Sequence, residues 1–469
     1  MRAIGYSFET ALADIIDNSI AAAATRVDVM FSATPSPYVS ICDDGTGMTA
    51  ELLFSAMRHG SLNPQAERRS DDLGRFGLGL KTASLSQCRL MTVASLSGGS
   101  LTGAAWDLDD CADWMMLELD AQDLKCVPDI VALQKQRSGT LVVWRALDRA
   151  LAGESNSEAA LMGLMDRARE HLALVFHRFL QAPSSKINIT INGLPVRPLD
   201  PFLMSAKGRQ TLPSEILQVE NDAVRVEAHI LPHISKLSTQ EITLAGGEEG
   251  LRRNQGFYVY RNRRLITWGT WFRLAKQEEM TKLARVMVDI PNSLDHLWSL
   301  DVKKSAAHPP EKIRQGLSRI VERIADRSRR VYTFRGNRGW DPDLIPAWKR
   351  LELRDRSVRY EVNREHDLFN VLRREVPERA APILERFLQM IEDSFPFDSV
   401  YADMASDRRT EGVDSQEKVE DRLLEIAGQL LGFLAATPEA RALMLERLHL
   451  LEPFNKHPQV TTKIKEKLK

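Results

Sequence analysis

Cysteine is scarce: among 469 residues there are four, Cys42, Cys88, Cys111 and Cys126. They show no C-x-x-C spacing and no accompanying histidine ladder, so neither a zinc site nor a disulfide framework is indicated, and a reduced cytoplasm is the expected location. Net charge is nearly absent too, at −1 from 63 Lys and Arg against 64 Asp and Glu. Overall charge therefore speaks for no polyanionic partner, and local clusters must carry that question. No apolar run approaches a membrane-spanning length, and the start Met1-Arg2-Ala3-Ile4-Gly5-Tyr6-Ser7 lacks the apolar core of a signal peptide. No membrane partner is expected. Internal repeats, zinc fingers, recognition-helix motifs and aromatic stacking platforms are also missing, while the length calls for two or three domains.

What is present begins with an apolar helix around Ala11 to Ser19. Phe8, Leu12, Ile15, Ile16, Ser19, Ile20 and Ala23 share one face at helical spacing, and Asp14 and Asn18 lie one turn apart on the other. That carboxylate and amide are either a solvated face or a functional pair. Alternation then predicts strands from Arg26 to Ser32 and from Tyr38 to Cys42, the second running into Asp43-Asp44-Gly45-Thr46-Gly47-Met48. A short helix follows from Ala50 to Arg58, then a polar loop between Gly60 and Arg75, closed by Gly74-Arg75-Phe76-Gly77-Leu78-Gly79-Leu80-Lys81-Thr82, whose tail opens a helix. Strands near 89–95, 101–108, 115–119 and 138–144 complete an α/β layer with helices on one side. A second pattern holds a helix over 157–180 and a strand over 186–191 ending in the hairpin turn Asn192-Gly193. It continues with strands over 224–231 and 283–290, a strand pair about Asn262, and a helix over 310–331. From 333 onward the periodicity is nearly all helical, with a charged break over 405–420.

Two glycine-rich stretches carry chemistry. Gly74-x-x-Gly77-x-Gly79 before a helix would aim backbone N–H groups at an anion, with Arg75 or Lys81 adding charge; alone it could equally be a helix start. Asp43-x-Gly45-x-Gly47 after a strand bends the chain sharply, so the carboxylate could accept from an exocyclic amine while the glycines admit a flat ring; the same letters also serve as a plain turn.

Taken together, Asp14 to Asn18, Asp43 to Gly47, Gly74 to Gly79 and Gly139-Thr140 come in the order and spacing of the four ATP-site motifs of the GHKL superfamily of gyrases, heat-shock chaperones, histidine kinases and MutL proteins. The run Asp17 to Asp28 resembles the MORC and MutL branch, and the resemblance covers about the first 150 residues. No phosphoacceptor-histidine helix precedes it, which argues against a histidine kinase. The resemblance implies an α+β fold: a Bergerat-type ATP-binding α/β sandwich over 1–150 with a lid over 60–76, a transducer domain of the ribosomal-protein-like β-α-β type over 151–332, and a helical C-terminal region over 333–469. It implies ATP and Mg²⁺ as ligands. Asn18 would ligate the metal, since an amide oxygen is a hard donor. Asp43 would read the adenine amine, with Gly45, Gly47 and Met48 lining the base and Thr140 closing its side. Gly74, Arg75, Phe76, Gly77, Leu78, Gly79 and Lys81 would wrap the phosphates. Asp14 stands where the family usually has glutamate, the general base that orients the attacking water. One methylene shorter, it implies slow hydrolysis.

Gly256 to Ile266 resembles the transducer's strand-turn-strand, and Asp301-Val302-Lys303-Lys304-Ser305 falls where a lysine loop reaches the γ-phosphate; Lys303 and Lys304 are both candidates. Basic residues gather at Arg252, Arg253, Arg261, Arg263 and Arg264 and again over 312–338, as either solvated faces or sequence-independent phosphate contacts. The resemblance thus implies an ATPase clamp that forms a homodimer on ATP and acts on DNA, with a bacterial restriction or anti-phage role by analogy. The alternatives are a chaperone-like clamp on a protein partner and a nucleotide-gated scaffold. The chain starts thirteen residues before Asp14, so any N-terminal arm exchanged between protomers is expected to be short or missing.

Overall fold

Ser7 starts the first helix, its hydroxyl accepting from the Thr10 N–H at 3.4 Å. This helix, α1 (Phe8–Ala21), is buried nearly all round, because Ala11 and Ala13 are small enough to admit neighbours on the side away from Leu12, Ile15 and Ile16. The polar face expected for it is therefore narrower than its letters suggest. Asp14 and Asp17 are both buried, and Asn18 alone of the three is exposed.

The computed structural model describes residues 5–58, 79–109, 116–182, 187–219, 222–278, 281–295, 297–298, 309–333, 344–352, 358–397, 400, 416–434 and 437–468. It forms two units, Met1–Thr333 and Phe334–Lys469. The lid region over 60–76, the Lys303-Lys304 pair, most of the glycine-rich stretch over 74–78 and most of the charged break over 405–420 lie outside the described residues.

After α1 come β1 (Arg26–Ser32), β2 (Tyr38–Asp43), α2 (Ala50–Met57), α3 (Gly79–Leu85), β3 (Leu90–Ser97), β4 (Ser100–Asp107) and β5 (Leu117–Leu119). Two short helices, α4 (Ala121–Lys125) and α5 (Ile130–Gln134), precede β6 (Gly139–Arg145), α6 (Ser157–Val175), α7 (His177–Gln181), β7 (Asn188–Ile191) and β8 (Leu194–Pro195). The eight strands make one sheet in the order β5-β4-β3-β6-β2-β1-β7-β8. Alternation sorts its side chains. Val39, Ile41, Met91, Val93, Val142 and Trp144 join the core under α1, α3 and α6, with the Trp144 ring edge-on to Phe8 at 5.9 Å. Cys42, Ala94, Leu96, Leu141 and Val143 face the other way, under Leu124, Ile130 and Leu133 of α4 and α5. Helices thus cover both faces of the sheet, where sequence pattern had suggested one.

The first sheet and its core also take in residues beyond 150. Strand β7 pairs in parallel with β1, from Arg26 opposite Asn188 to Val29 opposite Ile191, and α6 buries Leu161, Met165, Ala168 and Leu172 in the same core. Strands β6, β1 and β7 run in the same direction, and α6 and α7 carry the chain from β6 to β7. Asn192 and Gly193, both at positive φ, turn β7 into β8 as their dipeptide foretold.

The second sheet of this unit uses β9 (Gln210–Thr211), β10 (Glu215–Val219) and β11 (Asp222–Ile230), then, after helices α8 (Thr239–Leu244) and α9 (Gly247–Arg253), β12 (Gly256–Arg261), β13 (Arg264–Thr270) and β14 (Ala284–Ile290). Its order is β10-β11-β14-β12-β13, with β9 beside β11, and β14 runs parallel to β12. Asn262 and Arg263 at positive φ make the expected turn between β12 and β13. Helix α10 (Glu311–Thr333) lays Ile313, Leu317, Ile320 and Ile324 into the core of this sheet.

The second unit departs from the all-helical expectation. Residues 348–352 and 358–362 form an antiparallel pair, β15 (Trp348–Glu352) and β16 (Val358–Val362), before helices α11 (Asp367–Glu375), α12 (Ala381–Asp393), α13 (Gln416–Leu434), α14 (Pro438–Arg447) and α15 (Pro458–Leu468). The local reason is aromatic: Trp348 and Tyr360 flank Phe395, which a pleated pair can present side by side and a helix could not. The core is Leu423, Ala427, Leu430, Leu448, Phe454 and Ile464 with Val371.

Candidate nucleotide site

The end of β2 and the start of β6 are built around one carboxylate. Asp43 is 5% exposed. Its Oδ2 accepts from the Ser19 hydroxyl at 2.9 Å, and its Oδ1 from the N–H groups of Gly45 at 2.9 Å and Thr140 at 3.2 Å. Burial pushes its carboxyl above the ordinary carboxylate value, against the opposing pull of those hydrogen bonds. Ser95 ties the adjacent strands: its hydroxyl accepts from the Met48 N–H at 2.8 Å, donates to the Gly139 carbonyl at 3.0 Å and lies 3.3 Å from the Thr140 hydroxyl. Asp44, beside it, does a different task. It accepts from the Thr25 and Arg26 N–H groups and the Thr25 hydroxyl, which holds its pKa down despite partial burial.

Two glycines are required by space as well as by backbone. At Gly47, φ is +67° and a Cβ would stand 2.1 Å from the Leu96 carbonyl oxygen; at Gly139, φ is +151° and a Cβ would stand 2.1 Å from the Asp43 carbonyl oxygen. Close approach of three backbones around Asp43 is what these positions permit.

Helix α1 borders the same place. Ser19 on it holds Asp43, Asn18 is exposed one residue earlier, and Asp14 lies one turn below, 4% exposed, accepting from the Tyr6 hydroxyl at 3.0 Å. The next residue inward, Asp17, is 1% exposed and takes the Arg264 Nε–H at 2.9 Å, so the second sheet is pinned to this helix by a buried ion pair.

Of the residues singled out by sequence, Asp43, Gly45, Gly47, Met48 and Thr140 come together in one cradle bordered by Asp14 and Asn18. Gly79 opens α3, and among the described residues no atom from elsewhere in the chain lies within 4 Å of its Cβ position. Lys81 goes elsewhere. Its side chain is buried, and its ammonium donates to the Ala56 carbonyl at 2.9 Å and to the Arg58 carbonyl, closing the end of α2 rather than facing a phosphate. Arg75, Gly74, Phe76, Gly77, Leu78, Lys303 and Lys304 are outside the described residues. Sequence reading missed Ser19 and Ser95, which hold the acid and the backbone of the cradle. A hydroxyl at a core-facing helix position and another inside an apolar strand were the available signals.

The arginine cluster of the second sheet is also redistributed. Arg264 is paired with Asp17, Arg261 with Asp295 at 2.7 Å, and Arg263 donates to the Arg178 carbonyl while lying over the Phe179 ring. Strand pairing and the tight turn draw these three guanidinium groups into internal contacts. Arg252 and Arg253 remain exposed, as do Lys312, Arg319 and Arg323 on α10, the last paired with Glu215.

Residues 6–140 match the family model described as histidine kinase-, DNA gyrase B- and HSP90-like ATPase. The N-terminal domain is of the GHKL ATPase type. The match spans the α1 pair, the Asp43 cradle and Thr140, and stops at the strand that closes the cradle. No curated protein matches the chain. Among solved structures, the ATPase and transducer domains of DNA topoisomerase II from Balamuthia mandrillaris align over 70% of this chain and 86% of that one, at 13% identity and a TM-score of 0.40. The N-terminal domain of a DNA repair protein aligns over 70% of this chain and 96% of that one, at 13% identity and a TM-score of 0.43. Among the described residues no helix is long and apolar enough to cross a membrane.

Proposed function

We propose that the GHKL domain binds ATP with Mg²⁺ and hydrolyses it slowly, and that the chain works as an ATP-dependent clamp of the MORC and MutL kind. The observation that carries this reading is the Asp43 cradle: a buried carboxylate oriented by Ser19, Gly45 and Thr140, with glycines that let three backbones converge. Such a carboxylate accepts from the adenine amine, Met48 and Gly47 flank the ring, and Thr140 closes the far side. Among the described residues no group of three His, Cys, Asp or Glu could hold a metal ion by itself. The donor set instead suits an ion carried on phosphates, with the exposed Asn18 amide oxygen as one hard protein ligand. Bound there, Mg²⁺ would neutralise charge on the phosphate oxygens during transfer. Asp14 takes a proton from the water that attacks the γ-phosphorus. The glycine-rich stretch to Gly79 wraps the phosphates, Lys303 or Lys304 contacts the γ-phosphate, and the second sheet, tied to α1 through Asp17 and Arg264, acts as the transducer.

ATP then brings two protomers together, and hydrolysis releases them. DNA is the client we assign, held by exposed Arg252, Arg253, Lys312 and Arg319, in a bacterial restriction or anti-phage setting within the cytoplasm. A protein client is favoured by one observation: Ile383, Phe387 and Met390 form an exposed apolar stripe along α12. Salt-sensitive stimulation of ATPase activity by duplex DNA supports the first client, and indifference to DNA the second. For the site itself, Asp43→Ala is expected to weaken binding of ATP by at least about tenfold in calorimetry, and Asp14→Asn to bind ATP normally while losing about a hundredfold in turnover. Unchanged hydrolysis by Asp14→Asn would remove Asp14 from the role of base.

A further inference from the structure

Asp14 is a short side chain for its place. A glutamate there would carry its carboxylate about 1.5 Å further from the helix, so an aspartate must be held by something else if it is to meet a water at a fixed point. The structure contains a group that does this. Tyr6, the second residue before Phe8 opens α1, turns its ring into the core at 8% exposure and donates its hydroxyl to Asp14 Oδ2 at 3.0 Å. The backbone of Tyr6 is itself fixed: its carbonyl accepts from Gln87 Nε2 at 3.2 Å, and Gln87 is 4% exposed. Gln87 follows α3, and its amide also donates to the Ser86 hydroxyl at 2.8 Å, which in turn donates to the Ala83 carbonyl at 2.6 Å inside that helix. Hydrogen bonds thus lead from α3, which starts at Gly79, through Gln87 to the Tyr6 backbone, and a further one leads from the Tyr6 hydroxyl to the carboxylate on α1.

We propose that Tyr6 is the positioning residue of the hydrolytic step, holding one carboxylate oxygen of Asp14 so that the other faces the attacking water. The inference rests on Asp14 being the base. Tyrosine suits the task because its donor sits at the end of a rigid ring with only two side-chain torsions, so the donor's position is set by packing rather than by solvent. A phenol that merely satisfied itself on a nearby oxygen would leave turnover per folded molecule unchanged when removed.

Tyr6→Phe in the full-length chain tests the difference, since it keeps the ring and its packing and deletes only the donor. The expected result is a fall of about tenfold in kcat, with KM and the affinity for a non-hydrolysable ATP analogue unchanged and the loss persisting when rates are scaled to folded protein. In the Asp14→Asn background, Tyr6→Phe is expected to cost nothing further, because the two residues act as a unit. An unchanged kcat in Tyr6→Phe, or an equal further loss in the double variant, overturns the positioning role while leaving Asp14 as base. If Asp14→Asn itself retains full turnover, the base assignment falls first and the role of Tyr6 falls with it.

Discussion

A buried charge is decided by its partner, and partners are what a linear chain conceals. Asp17 sits between Ile16 and Asn18 in a helix whose apolar face is plain from spacing, yet its mate is 247 residues away at Arg264. Counting charges placed Arg261, Arg263 and Arg264 in a basic cluster; the fold spends them on Asp295, the Arg178 carbonyl and Asp17. Lys81 follows the same pattern, since its neighbours in sequence are a glycine-rich stretch and its neighbours in space are the carbonyls that end α2. By contrast Asp43, Gly47 and Thr140 were legible, because tight backbone geometry demands particular residue types at fixed local spacing. The Asp17–Arg264 pair yields a measurable consequence. Arg264→Met removes the guanidinium from a carboxylate that is 1% exposed, and should cost about 3–5 kcal/mol in urea unfolding; Asp17→Asn with Arg264→Met should recover a good part of that loss. Additive costs in the two single variants would mean that the pair is not coupled.

Elements were easier to read than their neighbours. The strands β1 and β2 and the helices α2, α3 and α10 fall within a residue or two of where periodicity puts them, and the Asn192-Gly193 and Asn262 turns lie where their residues require. Which sheet an element joins was harder. Nothing local in Asn188–Ile191 says that it pairs with β1, and nothing in Trp348–Glu352 announces a strand within a helical stretch until Tyr360 and Phe395 are placed beside it. Burial of histidine belongs to this scale as well. His229 on β11 has no exposed surface, and burial, with the Arg209 guanidinium beside it, drives its pKa from the ordinary 6.5 down to about 4. A guanidinium can only donate, so Nδ1 at 2.7 Å from Arg209 must accept and the ring is neutral. His177 on α7 is likewise pushed down to about 4, chiefly by burial. The unfolded chain then binds protons below about 6.5 that the folded one refuses until about 4, so stability is full above 6.5 and is lost as pH falls through that window. The loss from His229 is on the order of 1–3 kcal/mol by pH 4.5. His229→Gln, which still offers Arg209 an acceptor, should make the pH dependence of the urea midpoint between pH 7 and 4.5 visibly shallower; an unchanged slope would place the acid sensitivity elsewhere.

At the scale of the molecule, stability follows from where each core closes. Among the described residues, the cores beneath the two sheets are built from residues before 325, and the core of the second unit from residues from Ile345 onward. A fragment of residues 1–333 is therefore expected to fold cooperatively and to bind ATP with an affinity within about threefold of the full chain, because the Asp43 cradle, α1 and the Asp17–Arg264 pair all lie inside it. Calorimetric titration of the fragment checks this, and loss of binding by a fragment that still unfolds cooperatively would show that the second unit completes the site. The same fragment separates the clients. It keeps Arg252, Arg253, Lys312 and Arg319 and discards the apolar stripe of α12, so stimulation by duplex DNA should survive truncation whereas capture of a protein client through Ile383, Phe387 and Met390 should not.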